Sequence, residues 1–330
     1  MAGSCLAILG ALLAFSIPGC NRGIASDEVV VYCGVDEPYA AQIFAEFEKQ
    51  TGIRTVVQYD IEASKSVGLA GKLEAESAHP RADVWWGSEA FLSVRLGEEG
   101  ALAPYQSPAA TDVPAQFKDA NGLWTGTALR ARVLAVSEKS PPPFAITGIH
   151  DMADPRLKNK VAMSRPTAGA TGAHLATLYA VWGPENAAAF CRDLHANNIA
   201  LLGGNAEVAD QVGAGTYSLG LTDSDAVTTA TANGGKLTMV VPDQNAQGTL
   251  AMPTSVALVK GSKHEASAKK LIDFLVSKQV EKKLIDLKFA RWSVRGGEGE
   301  TIKAINVNYH AAANVYARAQ REGEALLEGR

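Results

Sequence analysis

Residues 28–52 read EVVVYCGVDEPYAAQIFAEFEKQTG, and a change of period inside them decides the fold. Val29, Val30, Val31, Tyr32 and Cys33 form a near-continuous apolar run, as expected of a strand covered on both faces. Pro38 suits a first helical turn. From there the pattern lengthens: Ala40, Ile43, Phe44 and Phe47 recur at i, i+3, i+4 and i+7, and Gly52 stops the helix. Residues 53–59, IRTVVQY, then read as a second strand. A helix at 67–77, a short strand at 83–86 and a helix at 91–96 continue the alternation, which argues for a mostly parallel sheet with helices on its faces.

A second series of the same kind begins after Pro141-Pro142-Pro143. A strand is expected at 160–164, helices at 170–181, 185–195 and 205–212, and strands at 216–221 and 237–241. Segments 123–137 and 249–260 are long enough to run from one series to the other. Helices at 266–277 and 280–287 and a helical tail at 308–327 complete the chain, with no internal repeat. A length of 330 residues can fill two cores of ordinary size. The expected organisation is α/β, with lobe 1 formed by 28–128 and 256–330 and lobe 2 by 129–255.

The first twenty residues, MAGSCLAILGALLAFSIPGC, carry no charged side chain. Their apolar run is short for a bilayer span, so residues 1–19 read as an export signal. Ile17-Pro18-Gly19-Cys20 resembles a bacterial lipoprotein box, which implies cleavage before Cys20, a lipid on its sulfur, and a domain tethered to a membrane in the periplasm or cell envelope. Cys33 and Cys191, in a predicted strand and a distant helix, are expected as buried free thiols rather than a disulfide framework. With 31 Lys and Arg against 35 Asp and Glu and no run of like charge, the chain lacks the basic face that nucleic acid requires. No G-x-S-x-G, P-loop, C-x-x-C or H-E-x-x-H motif occurs. A carboxylate pair such as Asp36 with Asp225 would suit acid–base work, but no nucleophile with its base accompanies it, so an enzyme is not expected.

In open α/β sheets ligands bind beyond the carboxyl ends of strands. That rule selects 34–38, 86–89, 130–132, 165–171 and 222–225. Asp36 and Glu37 either cap the helix opening at Pro38 or face a cleft, and Ser88 and Glu89 pose the same choice after the third strand. Arg130 and Arg132, two apart on a strand, share one face; they suit a carboxylate or phosphate, or a pairing with a cleft carboxylate. Thr167 and Thr171, in SRPTAGATGAH (164–174), stand at a helix N-terminus whose N–H groups suit an anion, and Asn205 opens another helix. In GLTDSDA (220–226), Asp223 and Asp225 are either first-turn acids or ligands. Of the adjacent Trp85 and Trp86, one is expected in the core and the other at the cleft or surface.

From 29 to 295 the chain resembles the ferric-ion-binding group of periplasmic solute-binding proteins, which feed ABC importers. The resemblance is carried by VVVYCG, FEKQTGIRTVV, ADVWWGSEA, LWTGTALRARVLAVS, GLTDSDA and SAKKLIDFLVSKQVEKKL, in that order. It implies a bilobed type II periplasmic-binding-protein fold, two α/β domains joined by two crossover strands and closing by hinge motion. It further implies a monomeric receptor with no cofactor, delivering a small ligand to an ABC importer permease. Asp36 falls where metal-binding relatives carry a histidine, and Glu89 where some supply a glutamate. Where relatives have adjacent tyrosines this chain has Asp225 and Ala226, so carboxylates replace phenolates. The resemblance thus points to Asp36, Glu89 and Asp225 as hard oxygen donors for a metal cation such as iron, with an anion on the Arg130 and Thr167 side. The alternative ligand is a small organic anion or zwitterion such as a phosphonate. Asp225 is expected to face the ligand and Asp223 to cap its helix.

Overall fold

A computed structural model describes residues 27–60, 67–167, 169–297 and 301–330; the export segment and the Cys20 box lie outside the described residues. The opening run becomes β1 (Glu28–Cys33), which pairs in parallel with β2 (Arg54–Tyr59) on one side and β3 (Val84–Gly87) on the other. Between β1 and β2 runs α1 (Glu37–Thr51), which buries the expected Ala40, Ile43, Phe44 and Phe47. It ends at Gly52, whose φ of 71° lets its N–H reach Glu48 O, a turn that only glycine takes without strain.

The strands form one sheet in the order β2-β1-β3-β10-β5-β8-β6-β7. Its axis is β5 (Thr125–Ser137). The first part of β5 pairs antiparallel with β10 (Ala251–Val259) as far as Ala131, and from Arg132 onward it pairs with β8 (Leu219–Asp223). Beyond β8 lie β6 (Val161–Ser164) and β7 (Ala200–Leu202), both parallel, while β4 (Leu102–Ala103) flanks β10 and β9 (Leu237–Val240) flanks β5. The chain returns to the first half through 241–250, where Thr249 Oγ1 donates to Arg132 O at 2.5 Å.

The first half carries α1, α2 (Val67–Ala75), α3 (Phe91–Glu98), α8 (Glu265–Leu275) and α9 (Lys278–Asp286); the second carries α4 (Gly169–Val181), α5 (Pro184–Ala196), α6 (Asn205–Ala214) and α7 (Ser224–Ala232). The last helix, α10 (Tyr309–Leu327), packs on α3 of the first half and on α4 and α5 of the second. Gly220 admits α6 onto β8, since a Cβ there would stand 2.6 Å from Val208 Cγ1. Among the described residues no helix is long and apolar enough to cross a membrane.

The adjacent tryptophans differ from expectation. Both are fully buried, and neither reaches the cleft or the surface. Trp85 Nε1 donates to Ser93 Oγ at 2.8 Å on one face of the sheet, and Trp86 meets Phe44 edge-on at 5.4 Å on the other. Helices cover both faces here, so alternation along the strand exchanges one core for another. Cys33 and Cys191 are free and buried, as expected, and burial pushes the Cys191 thiol up to about 12.

Candidate functional site

A cavity of about 470 Å³ opens between the two halves at the strand ends. Asp36, Tyr39 and Ser88 line it from the first half, Arg130 from β5, and Arg165, Thr167, Asn205, Asp223 and Asp225 from the second. A larger hollow of about 610 Å³ lies beside Trp292 and Val294, away from these strand ends, and none of the candidate residues lines it.

Arg130 bridges the halves. Its Nη2 donates to Ser88 O at 3.0 Å, its Nη1 reaches Asp225 Oδ2 at 3.3 Å, and Asp223 Oδ2 stands 3.7 Å away. Burial alone would favour loss of its proton, but the carboxylates of Asp225, Asp223 and Asp36 outweigh that and hold the guanidinium firmly charged. The Arg130 Nε is buried without a hydrogen-bond partner in the protein.

Arg132 points the same way along the strand but lies deeper, with no exposed surface. Its Nη1 donates to Asp223 Oδ1 at 2.6 Å and to Asn205 Oδ1 at 2.9 Å, and Asn205 Nδ2 returns a bond to Asp223 Oδ2 at 3.1 Å. The expected helix cap at Asp223 is therefore not made. Asp223 holds the N-cap position of α7, yet its side chain makes no capping bond, because the buried guanidinium claims it. Asp36 likewise sits at the N-cap of α1 without a side-chain capping bond and instead lines the cavity.

Glu89 does the reverse. Only 4% exposed, its carboxylate accepts from the backbone N–H of Phe91 and, at 3.3 Å, from that of Leu92, closing the first turn of α3. Burial pushes its pKa up to about 7, with the two N–H groups and Arg130 opposing. The expected donor set is thus divided: Asp36 and Asp225 share the cavity, while Glu89 is turned away from it. No three His, Cys, Asp or Glu side chains are gathered into a metal cage among the described residues.

Ser88 and Thr167 line the cavity, as does the first turn of α4 through Gly169 and Ala170. Thr171 is buried behind that wall, its hydroxyl bonded to Ser164 Oγ. Glu37 is exposed and lines only a small hollow of about 80 Å³ beside Asp60. Buried His174 is pushed down to about 3 by burial and by the Arg132 charge, so it stays neutral. Arg165, which opens the selected segment 165–171, lines the cavity, whereas Tyr39, Ser164 and Thr229 line it and were missed by sequence reasoning. Tyr39 had a signal, since it follows Asp36 by three residues, about one helical turn.

The fold matches that of solved solute-binding proteins. The ferric binding protein from Campylobacter jejuni superposes with a TM-score of 0.79 at 22% identity, over 90% of this chain and 99% of its own. Among relatives by sequence, iron uptake protein A1 of Synechocystis is 27% identical over 252 residues, 73% of this chain and 68% of the relative. A putative 2-aminoethylphosphonate-binding periplasmic protein of Salmonella paratyphi A is 27% identical over 248 residues, 74% of this chain and 71% of the relative. The model of the bacterial extracellular solute-binding proteins matches residues 42–299. With a bilobed sheet, a cavity between its halves and that match over most of its length, the chain belongs to the family of bacterial extracellular solute-binding proteins.

Proposed function

We propose that this chain is the extracytoplasmic receptor of an ABC importer, and that its solute is a hard cation such as iron, taken up with a small anion. The observation that carries the reading is the set of oxygen groups around Arg130: Asp36, Asp223 and Asp225 surround its guanidinium, and Tyr39 lines the same cavity. Carboxylate with phenol oxygen suits a hard cation. Asp36 and Tyr39 belong to the first half and Asp225 to the second, so the closed hinge holds the solute between donors of both halves. The N-terminus of α4 favours an anion beside it. The Synechocystis relative bears an iron-uptake name. Membership of a solute-binding family supports a solute that is bound and handed on unchanged.

One observation favours a second reading. Arg130 and Asp225 already neutralise each other across the cavity. A zwitterion would replace that pair, its ammonium against the carboxylates and its phosphonate against Arg130 and α4. The Salmonella relative is named for such a compound.

Metal analysis of protein purified without chelator, followed by calorimetry with ferric citrate and with 2-aminoethylphosphonate, separates the two. On the cation reading iron co-purifies, and Asp225→Asn lowers ferric affinity about tenfold, ~1.4 kcal/mol. Metal-free protein that binds only the phosphonate overturns it. We further propose that Cys20 carries a lipid that holds the monomeric receptor at the membrane. Cys20→Ala should release it to the soluble fraction, and protein that stays with the membrane would end that reading.

A further inference from the structure

The helix α10 has two seats, one on each half. Its first two turns rest on the first half: Tyr309, 9% exposed, meets Phe91 of α3 edge-on at 5.2 Å and Trp124 at 5.4 Å. Next to it, His310 Nδ1 lies 2.8 Å from Glu98 Oε1, and its Nε2 lies 3.7 Å from Asp119 Oδ2. The rest of the helix rests on the second half, and there the approach is close. A Cβ on Gly172 of α4 would stand 2.5 Å from the Tyr316 hydroxyl, and one on Gly323 would stand 2.3 Å from Leu175 Cδ2. The same stretch also grips the cavity wall. Gln320 Nε2 donates to Thr167 O, and Glu328 pairs with Arg165; both Thr167 and Arg165 line the cavity.

A helix of 19 residues is a rod about 28 Å long. When the two halves part by hinge motion, such a rod cannot keep both seats. The seat on α4 and α5 is long, interdigitated and hydrogen-bonded to the loop before α4, whereas the seat on the first half is confined to the first two turns, Tyr309 to Tyr316. The shorter one gives way.

We propose that α10 is a latch on the closed receptor: Tyr309 and His310 dock on the first half when the cavity is closed and let go as it opens, while Gln320 and Glu328 are positioning residues that hold loop 165–167 to the helix. The latch is independent of which solute is carried. It also makes the wall around Thr167 sensitive to substitutions remote from the cavity, since the helix that steadies that wall is anchored outside it.

The test uses the full chain without solute, so it stands or falls apart from the identity of the ligand. With Cys5 and Cys20 replaced by serine, spin labels placed through Lys49→Cys on α1 and Asp210→Cys on α6, both exposed and on elements that do not pack on α10, report the distance between halves; Cys33 and Cys191 are buried and stay unlabelled. Double electron–electron resonance should show a longer and broader distance distribution in Tyr309→Ala than in the parent. A smaller shift of the same sign is expected in His310→Ala, whose side chain is 55% exposed and whose loss does not threaten folding. Gln320→Ala should leave the distance unchanged but raise hydrogen exchange at 165–170. Distance distributions identical to the parent in both Tyr309→Ala and His310→Ala would overturn the latch, and unchanged exchange in Gln320→Ala would remove the positioning role.

Discussion

Asp223 and Asp225 stand two residues apart where β8 turns into α7, and the fold gives them different partners. Asp223 faces Arg132, whose guanidinium has no exposed surface, whereas Asp225 is held by Arg130 at the cavity wall. Removing one member of a buried pair leaves the other charged and unpaired, which costs more than a lost cap. Asp223→Ala should therefore destabilise the protein by roughly 3 kcal/mol or more in urea unfolding; a loss near ~1 kcal/mol would return it to the role of a cap. Glu89 carries the opposite kind of signal. Its folded pKa is raised to about 7, so between its ordinary carboxylate range and that value the folded state binds more protons than the unfolded one. Its contribution is fully present below about pH 4.5 and is lost as pH rises to 7, an effect on the order of 3 kcal/mol. Urea midpoints of Glu89→Gln should fall less than those of the parent between pH 5 and pH 8; parallel falls in the two proteins would refute this.

Among the elements, β5 does most to organise the molecule. It is a single strand shared by both halves of the sheet, and its irregularity lies just ahead of the point where one partner replaces the other. The register against β10 slips between Pro253 and Thr254, and the extra residue, Ala128, takes a φ of 46°, unusual for a side chain with a Cβ. The displaced Ala128 N–H is not left open. Glu281 Oε1, from α9, accepts it at 3.2 Å and accepts the Val294 N–H at 2.6 Å, while Glu281 Oε2 pairs with Arg295 at 2.6 Å. Glu281 stands in the charged stretch SKQVEKK and is 3% exposed. Glu281→Ala would leave two buried backbone donors without an acceptor and Arg295 with Asp112 as its counter-charge, so a loss of roughly 2–4 kcal/mol is expected by chemical denaturation; a change under ~1 kcal/mol would show that the bulge holds without it. The helix α10 teaches a related point. Its amphipathic period is plain from the tail sequence, but period cannot say which neighbour covers the apolar stripe, and here one stripe is covered by both halves.

At the scale of the whole molecule, one architectural fact explains where function sits. The strands carrying Asp36, Ser88 and Asp223 end at the same edge, because right-handed βα crossovers bring parallel strands out on one side of a sheet. Two such series joined through a shared strand place their ends face to face, and the cavity lies between. A solute held there touches both halves, which is the physical basis for closure on binding. Family membership agrees with this arrangement.

The α/β alternation, the helix and strand positions and the polar loops at the strand ends were legible in the sequence, because each depends on a short-range pattern: an apolar run, a stripe at helical spacing, a glycine stop. The arrival of Asp36, Ser88, Arg130, Asn205 and Asp225 in one cavity was legible too, since strand-end loops of one sheet edge must meet. What local pattern cannot encode is the partner of a charged side chain. Only the tertiary structure decided that Arg132 takes Asp223 away from its helix cap and that Glu89 closes the turn of α3 rather than facing the cavity. It likewise decided that Trp86 faces a second core, and that α10 ties the wall at Thr167 to a helix on the opposite half. Each of these contacts joins side chains with backbone groups or other side chains at distances fixed by packing, and a buried charge takes whichever counter-charge the packing brings within reach.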